Sequence, residues 1–209
     1  MCVEWLGARL KVVPLVSIAL VTSVAASDLA AMMANRLVSM IETERLILRP
    51  LTRADVDQIV DLHGDPRVYR FVPSFSYDQA LQRISEIERQ WSERGHGICA
   101  VELEATGTFI GRCGLNYWPE FDEVEVGWIL KPEAWGHGYA TEAAQSCLEW
   151  GFSRLDVRYL TAMIDPGNTA SARVAERLGF SPRRVDTLFD KTTTVWALDR
   201  PESLPSPQA

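Results

Sequence analysis

Residues 124–143 contain the stretch of sequence that decides the fold. They are Val124-Glu-Val-Gly-Trp-Ile-Leu130, followed directly by Lys131-Pro-Glu-Ala-Trp-Gly-His-Gly-Tyr-Ala-Thr-Glu-Ala143. Apolar side chains at alternate positions of the first seven residues predict a buried β-strand. From Ala140 to Phe152 the apolar spacing is that of a helix. The stretch therefore predicts a strand, a glycine-rich loop and the N-terminus of a helix, in that order.

The loop at residues 136–141 predicts a binding site for an anion. Gly136 and Gly138 allow several free backbone N–H groups to point at one ligand, which the positive end of the helix dipole also favours. A diphosphate fits this description. A dinucleotide fingerprint would need a third glycine at Thr141, although Asp165 follows at about the spacing of a ribose-binding acid. No Gly-Lys-Ser/Thr follows, which excludes a P-loop. The remaining interpretation is that the proline and glycines before the helix belong to an ordinary loop that binds no ligand.

Composition limits the class of protein. The chain has 209 residues, of which 47% are hydrophobic and 23% charged, as in one soluble globular domain. Its formal net charge of -7 disfavours nucleic-acid binding and favours the approach of cationic amines. The four cysteines and three histidines show no metal-ligand spacing, so we expect no metal site. Cys99, Cys113 and Cys147 are predicted to be small core residues in a reducing compartment.

The order of elements predicts an α+β (mixed α/β) domain over residues 41–198. Candidate N-caps at Thr52, Asp65, Ser76 and Asn168 predict helices that start after them, in addition to the helix at about 137–153. Alternating segments predict strands at 46–51, 98–103, 109–117, 123–130, 159–164, 183–188 and 193–198. An antiparallel meander followed by a βαβ-like half differs from a dinucleotide-binding domain, which alternates strand and helix from its start. Residues 199–209 contain three prolines and are predicted to be a disordered tail.

Three ordered motifs resemble those of the GNAT superfamily of N-acyltransferases. Trp135-Gly-His-Gly-Tyr-Ala140 is similar to the acetyl-CoA pyrophosphate loop of that superfamily, Gln/Arg-x-x-Gly-x-Gly/Ala. The sequence of residues 132–143 is similar to that of the RimJ/RimL-type branch, in which Trp commonly occupies the Gln/Arg position. Asn168-Thr-Ala-Ser171, with Arg177-Leu-Gly-Phe180 after it, and the opening residues 42–51 also match. The resemblance implies the GNAT fold, a central twisted and mostly antiparallel sheet that is splayed at the CoA site and flanked by helices.

The resemblance also implies acetyl-CoA as the cosubstrate and assigns residues to it. The backbone of Trp128, Ile129 and Leu130 would hold the pantetheine arm and the acetyl carbonyl, and Asn168 would contact the same arm. As bare sequence, Asn168 is also a good N-cap. Arg173 and Arg177 are candidates for the 3′-phosphate of CoA. The pyrophosphate would be held by backbone N–H groups of Gly136, His137, Gly138, Tyr139, Ala140 and Thr141.

Acyl transfer to an amine needs a base for the amine and an acid for the leaving thiolate. No Ser-His-Asp or Cys-His signature predicts a covalent intermediate, so direct attack by the amine is the simpler scheme. Glu125 is the candidate base, with Glu123 as the alternative, although either could be a solvated or amine-binding carboxylate. The resemblance places Ser171 to protonate the departing sulfur; otherwise it is a polar residue in the first turn of a helix.

The sequence thus predicts an acetyl-CoA-dependent N-acetyltransferase that acts on a primary amine, as a monomer or a homodimer. A non-catalytic acyl-CoA-binding module with the same fold is the alternative; the presence of Glu125, Asn168 and Ser171 together favours the enzyme. The acceptor stays open among protein N-termini, aminoglycosides, polyamines and other small amines. The loops predicted to bind the acceptor, about 70–80 and 117–123, are rich in aromatic residues: Phe71, Phe75, Tyr77, Tyr117, Trp118 and Phe121.

Residues 1–40 form an extension that we predict to lie outside the fold. Arg9 and Lys11 precede an apolar run at 12–26, and small residues follow it, as in a signal peptide. The run is shorter than the roughly 20 residues of a transmembrane helix. Because acetyl-CoA is a cytoplasmic metabolite and Met40 directly precedes the domain, we expect translation to start at or near Met40. The protein is then cytoplasmic and makes no membrane contact; an exported or membrane-anchored protein is the alternative.

Overall fold

The computed structural model describes residues 40–188 and 191–202. The predictions for residues 1–39 and for most of the tail fall outside these residues. Within them, no helix is both long and apolar enough to cross a membrane.

One sheet of eight strands forms the centre of the described domain. Its spatial order is β1-β2-β3-β4-β5-β6-β8-β7, and every neighbouring pair is antiparallel except β5 and β6, which are parallel. The mixed, mostly antiparallel sheet is therefore confirmed. The strands are β1 (Ile41–Glu42), β2 (Leu46–Pro50), β3 (Ile98–Leu103), β4 (Phe109–Trp118), β5 (Glu123–Leu130), β6 (Tyr159–Ile164), β7 (Ser181–Leu188) and β8 (Lys191–Asp199).

Helices cover both faces of the sheet. They are α1 (Val56–Gly64), α2 (Pro66–Tyr69), α3 (Tyr77–Arg94), α4 (Tyr139–Arg154) and α5 (Thr169–Arg177), with short 3-10 helices at Arg53–Asp55 and Pro132–Ala134. On one face, Cys113 of β4 packs against Cys147 of α4, with 3.8 Å between the sulfur atoms. On the other face, His63 of α1 and Arg83 of α3 contact Arg112 and Asn116 of β4. Alternate residues of β4 and β5 thus face either α4 or the α1 and α3 side.

The sheet opens between β5 and β6. Strand β5 pairs with β4 along its whole length, from Trp118↔Glu123 to Gly111↔Leu130. It pairs with β6 only at Glu125↔Thr161. Beyond that pair the two parallel strands diverge, which confirms the predicted splay.

Capping explains where several helices begin and end. The side chain of Ser76 accepts a hydrogen bond from the backbone N–H of Gln79 at 3.3 Å, as predicted from its position before α3. Asn168 accepts one from the N–H of Ser171 at 3.1 Å. At the other end of α5, Gly179 has φ = +90°, the left-handed conformation that glycine adopts most readily.

The predicted capping box at Thr52 and Asp55 has a larger role than a cap. Asp55 is 2% exposed, and it accepts two hydrogen bonds from Arg49, at 2.9 and 2.7 Å. The backbone N–H of Thr52 donates to the same carboxylate at 2.8 Å. Burial alone would raise the pKa of Asp55, but these hydrogen bonds together outweigh it and lower the pKa. Asp55 therefore fastens the start of the α1 region to strand β2.

Contacts with the helical layer continue past residue 198, where the predicted domain ends. Strand β8 runs to Asp199, and the guanidinium of Arg200 donates to the carbonyls of Phe152, Leu155 and Val157 at 2.7, 2.6 and 3.1 Å. Carbonyls at the end of a helix lack intrahelical partners, and a cation there also complements the helix dipole. Arg200 thus belongs to the fold because it caps α4.

Replacement of Asp55 tests its role as a fastener. We expect Asp55→Ala to lower the free energy of unfolding by about 2–4 kcal/mol, because it leaves a buried part of Arg49 with Glu102 as its one remaining carboxylate partner. Urea denaturation at neutral pH measures the change. Asp57→Ala, an exposed carboxylate on the first turn of α1, is the matched control and should cost under about 1 kcal/mol. Equal losses in the two variants would contradict the assignment.

Candidate active site

A cleft of about 160 Å³ lies where β5 leaves β6. Its walls come from β4, β5, β6 and the start of α5 on the sheet side, and from α1, α3 and the segment around Phe71–Phe75 opposite. Glu125 and Ser171, the first candidates for base and acid, both line it, as does Asn168. The splay therefore brings together residues that are more than forty positions apart in sequence.

The backbone of β5 offers free groups to this cleft at alternate residues. The N–H of Lys131 donates to Ile110 of β4 at 2.8 Å, which fixes the odd-numbered residues of β5 as those bonded to β4. The backbone groups of Val126, Trp128 and Leu130 then point towards the gap. The backbone groups of Trp128 and Leu130 thus face the gap, whereas those of Ile129 are turned towards β4. Ile129 lines the cleft all the same.

The glycine-rich loop continues from the end of β5 and is tied back to it. The indole N–H of Trp135 donates to the carbonyl of Leu130 at 2.8 Å. Gly136 and Gly138 have φ = +80° and +82°, values that L-residues with side chains rarely adopt. Among the described residues other than its chain neighbours, none has an atom within 4 Å of where a Cβ on Gly136 would be, and a Cβ on Gly138 would have Arg45 Nη2 at 3.6 Å. Backbone conformation, rather than crowding by the protein, thus requires both glycines.

A carboxylate on the first turn of α4 holds the loop against the β1–β2 turn. Glu142 accepts hydrogen bonds from the Thr43 hydroxyl, the Arg45 N–H and Arg45 Nε, at 2.6, 3.1 and 2.7 Å. Arg45 also donates to the carbonyl of His137 at 3.0 Å, and its guanidinium lies 4.7 Å from the centre of the Tyr139 ring. His137 and Tyr139 stack on each other at 5.6 Å. Arg45 therefore neutralises Glu142 and places a cation beside the loop.

Glu125 lies at the point where the strands separate. Its Oε2 accepts the indole N–H of Trp118 at 2.6 Å, and its Oε1 accepts the backbone N–H of Met163 at 3.2 Å. Burial raises the pKa of this carboxyl above its usual range, although these hydrogen bonds and the nearby arginines oppose the rise. Glu125 is thus a carboxylate in the cleft with an elevated pKa.

Known proteins match both this geometry and the sequence. The family model of the acetyltransferase (GNAT) domain matches residues 45–181. The chain belongs to the GNAT acetyltransferase family. Relatives named N-acetyltransferases match as well, and the protein is an enzyme of that kind. The dinucleotide interpretation of the glycine loop is accordingly wrong.

Individual relatives of this acetyltransferase cover most of the domain. Protein YkkB of Bacillus subtilis strain 168 is 33% identical over 161 residues, which are 74% of this chain and 92% of YkkB. The crystal structure of an acetyltransferase from Agrobacterium tumefaciens strain C58 is 34% identical, with a TM-score of 0.69, over 76% of this chain and 93% of that one. RimL, a ribosomal L7/L12 N-terminal acetyltransferase solved with coenzyme A, shares the fold at 16% identity and a TM-score of 0.65, over 77% and 98% of the two chains.

Other candidates in the acetyltransferase lie outside the cleft. Glu123, the alternative base, is buried and accepts two hydrogen bonds from Arg184, both at 2.8 Å, and one from the Tyr159 hydroxyl at 3.0 Å. Its carboxylate is thus engaged in joining β5 to β7. Tyr117 donates to Asp122 at 2.9 Å rather than lining the acceptor wall, whereas Trp118 does line it. Arg173 and Arg177 are exposed on α5, and their assignment to the 3′-phosphate stays a prediction.

The residues of the acetyltransferase cleft that the sequence did not predict include His63, Arg83 and Arg112. Burial lowers the pKa of His63 to about 3, with a further contribution from Arg112, so its ring is neutral at pH 7. Nδ1 of His63 donates to the carbonyl of Pro73 at 2.7 Å, and Nε2 accepts from Arg112 Nε at 3.3 Å. Burial likewise lowers the pKa of Arg112 to about 10, which leaves it charged at pH 7. Their sequence contexts, a helical histidine and strand or helix arginines, carried no signal of this cluster.

Gly127 keeps the floor of the cleft free of side chains. A Cβ added there would meet only the Glu125 carboxyl group, at 3.9 Å. We expect Gly127→Ala to fold with unchanged or slightly higher stability, but to lower kcat/KM for acetyl transfer at least roughly tenfold, because the methyl displaces reactants beside Glu125. Steady-state kinetics and thermal unfolding together check this. Gly64→Ala, in open space on α1, is the control; full activity of Gly127→Ala would contradict the assignment of this floor.

Proposed function

We propose that this enzyme uses acetyl-CoA to acetylate a primary amine by direct attack, with Glu125 as general base and Ser171 as general acid. The observation that carries the proposal is the convergence on one cleft of the free backbone edge of β5, the Glu125 carboxylate and the N-terminus of α5 with Ser171. The sequence of residues 132–143 supports a RimJ/RimL-like enzyme, and the use of acetyl-CoA supports a cytoplasmic location.

The residues present fit acetyl-CoA. A pantetheine arm carries amide groups that can pair with a strand edge, and the backbone groups of Trp128 and Leu130 face the gap. The Leu130 carbonyl already accepts from Trp135, so the Leu130 N–H and both groups of Trp128 are the available partners. At the end of the same strand, the loop from Gly136 to Thr141 presents the N-terminus of α4, where a diphosphate is stabilised by N–H groups and the helix dipole.

Glu125 has the properties of a general base for an amine. An alkyl ammonium must lose a proton before it attacks the thioester carbonyl, and a carboxylate with a raised pKa accepts that proton more readily than an ordinary one. The hydrogen bonds from Trp118 and Met163 fix the direction of the carboxylate while leaving it further lone pairs. The attack forms the amide C–N bond, breaks the C–S bond and releases CoA as a thiolate.

Ser171 is suited to receive that thiolate. Its backbone N–H is held by Asn168, and its side chain lines the cleft at the first turn of α5. The hydroxyl can donate to sulfur as negative charge develops there, and the positive end of the α5 dipole favours the same charge.

Removal of the base tests the mechanism. We expect Glu125→Gln to lower kcat roughly 100- to 1,000-fold with little change in the affinity for acetyl-CoA, because the acid–base contribution is lost while the cosubstrate site is intact. In the wild type, kcat/KM should fall on the acid side with an apparent pKa above the ordinary value of about 4.3, since Glu125 must be deprotonated and burial raises its pKa. In Glu125→Gln this acid limb should vanish.

The controls separate chemistry from folding. Glu120→Gln changes an exposed carboxylate in the β4–β5 turn and should leave kinetics unaltered. Ser171→Ala should lower kcat roughly 10- to 100-fold without weakening acetyl-CoA binding. An unchanged acid limb of the pH profile in Glu125→Gln would exclude Glu125 as the base. Failure of the folded wild type to bind acetyl-CoA in a calorimetric titration would overturn the whole proposal.

The ion pair between Arg45 and Glu142 beside the glycine-rich loop gives a test of diphosphate binding. We expect Arg45→Gln to raise the Kd for acetyl-CoA roughly tenfold, because it removes a cation beside the loop and leaves the Glu142 carboxylate uncompensated at the helix N-terminus. The double variant Arg45→Gln with Glu142→Gln should recover part of the loss, since the opposing carboxylate is then gone. Arg53→Gln, which alters an exposed ion pair with Glu88, is the control. Equal Kd values for Arg45→Gln and the wild type would exclude this role.

A further inference from the structure

The acceptor side of the cleft holds a cation that no carboxylate of the described residues pairs with. Arg112 makes no ion pair within 4 Å in that part of the chain, and its one hydrogen bond there is from Nε to the neutral His63. Its side chain is largely buried, since strands β3 and β5 flank it and α1 covers it. A buried charge without an opposite partner is costly, so such a residue in a ligand cleft indicates an anionic ligand.

Glu125 is not sufficient as the partner of Arg112. Its two oxygens accept hydrogen bonds from Trp118 and Met163, and a second guanidinium, Arg83, lines the same cleft. Arg83 is itself bonded to Glu86, at 3.0 Å, and to Asn116, at 3.1 Å. Of the charged residues in the cleft wall, Arg83, Arg112 and Lys191 are cationic, whereas Glu125 and Asp165 are anionic. Because Glu86 offsets Arg83, these charges balance, but Arg112 has no ion-pair partner within 4 Å among the described residues.

The register of the sheet sets Arg112 and Glu125 on one face. Arg112 pairs with Ile129 and Asn116 pairs with Glu125, and the pair between them is Gly114 and Gly127. The side chains of these three alternate pairs project to the same face of the sheet. Because the middle pair consists of two glycines, the surface between the Arg112 guanidinium and the Glu125 carboxylate has a floor without side chains. A small molecule can therefore extend along this floor, with one end at each charged group.

We propose that the amine acceptor carries a carboxylate, which Arg112 binds while Glu125 receives the amine across the Gly127 floor. The inference rests on the proposed function and narrows its acceptor to amino carboxylic acids. The planar guanidinium matches a carboxylate with two parallel hydrogen bonds, and a carboxylate there gives Arg112 the ion-pair partner that the described residues do not supply. A polyamine would instead bring a second ammonium group beside the Arg112 guanidinium, where like charges repel each other.

His63 positions Arg112 for this role. Its ring is fixed by the Pro73 carbonyl and packs on Phe75, with 4.5 Å between the ring centroids. Because Nδ1 donates to Pro73, Nε2 is left as an acceptor and directs the Arg112 side chain. The carboxylate site is thereby connected to the predicted acceptor loop, whose Phe71 and Phe75 line the same cleft.

The test compares each amino acid with its amide, in which the carboxylate is replaced by a neutral group of similar size. Glycine, β-alanine, 4-aminobutyrate and L-phenylalanine are each assayed beside their amides by release of CoA thiol from acetyl-CoA, with spermidine and O-phosphoethanolamine alongside. We expect at least one acid to exceed its amide tenfold or more in kcat/KM. The amide has the less basic amine, which is more often deprotonated, so this comparison is biased against the inference.

Variants then assign the preference to Arg112. Arg112→Gln should lower kcat/KM for the preferred acid roughly 10- to 100-fold more than kcat/KM for its amide, mainly through KM. Arg112→Lys keeps the charge without the planar fork and should lie between. Arg89→Gln, an exposed arginine on α3, is the control. Circular dichroism and thermal unfolding verify that each variant is folded.

The outcomes separate this inference from the proposed function. Preference for amides or spermidine, or equal losses for acid and amide in Arg112→Gln, overturns the carboxylate site and leaves acetyl transfer standing. Preference for O-phosphoethanolamine over β-alanine replaces the carboxylate by a phosphate and so overturns the assignment. A wild type that binds acetyl-CoA but acetylates none of the panel also overturns it, whereas a folded wild type that fails to bind acetyl-CoA overturns the proposed function itself.

Discussion

Where two parallel strands separate, backbone N–H and C=O groups lose their hydrogen-bond partners on the neighbouring strand. Each of those groups must then bond to another part of the protein or face a ligand. In this acetyltransferase the separation begins after Glu125↔Thr161. The N–H of Met163 is taken by the Glu125 side chain, and the carbonyl of Leu130 by the Trp135 indole. What is left unpaired between these two contacts is the segment around Trp128. The same opening thus creates the edge for a ligand, fixes the candidate base and anchors the loop that follows.

A second set of contacts ties the opposite wall to the sheet. A chain of hydrogen bonds runs from the Pro73 carbonyl through His63 to Arg112, and a parallel contact joins Arg83 of α3 to Asn116 of β4. Each of these links crosses between a helix and β4, on the face away from α4. The cleft is therefore bounded by polar groups with fixed partners, and its charged members are held in place before any ligand arrives.

The sequence predicted local features well because local chemistry determines them. Alternating apolar residues predicted the bounds of β5 and β6 to the residue, and Ser76 and Asn168 cap the helices that they precede, as predicted. Features that depend on register or on distant partners were out of reach. Glu123 and Glu125 look equivalent in sequence, but Arg184 lies beside the former and the cleft beside the latter. Arg112 and His63 are 49 positions apart, and nothing local indicates their contact.

Ionic strength acts unevenly on this arrangement. The Arg45–Glu142 pair lies 45% and 18% exposed at the surface, and dissolved ions with a Debye length of about 8 Å at physiological concentration weaken such pairs. Arg112, enclosed between strand and helix, is screened far less. Raising the salt concentration therefore loosens the support of the glycine-rich loop while the charge at the other end of the cleft persists, so the two ligands of the enzyme experience different electrostatic conditions in the same solution.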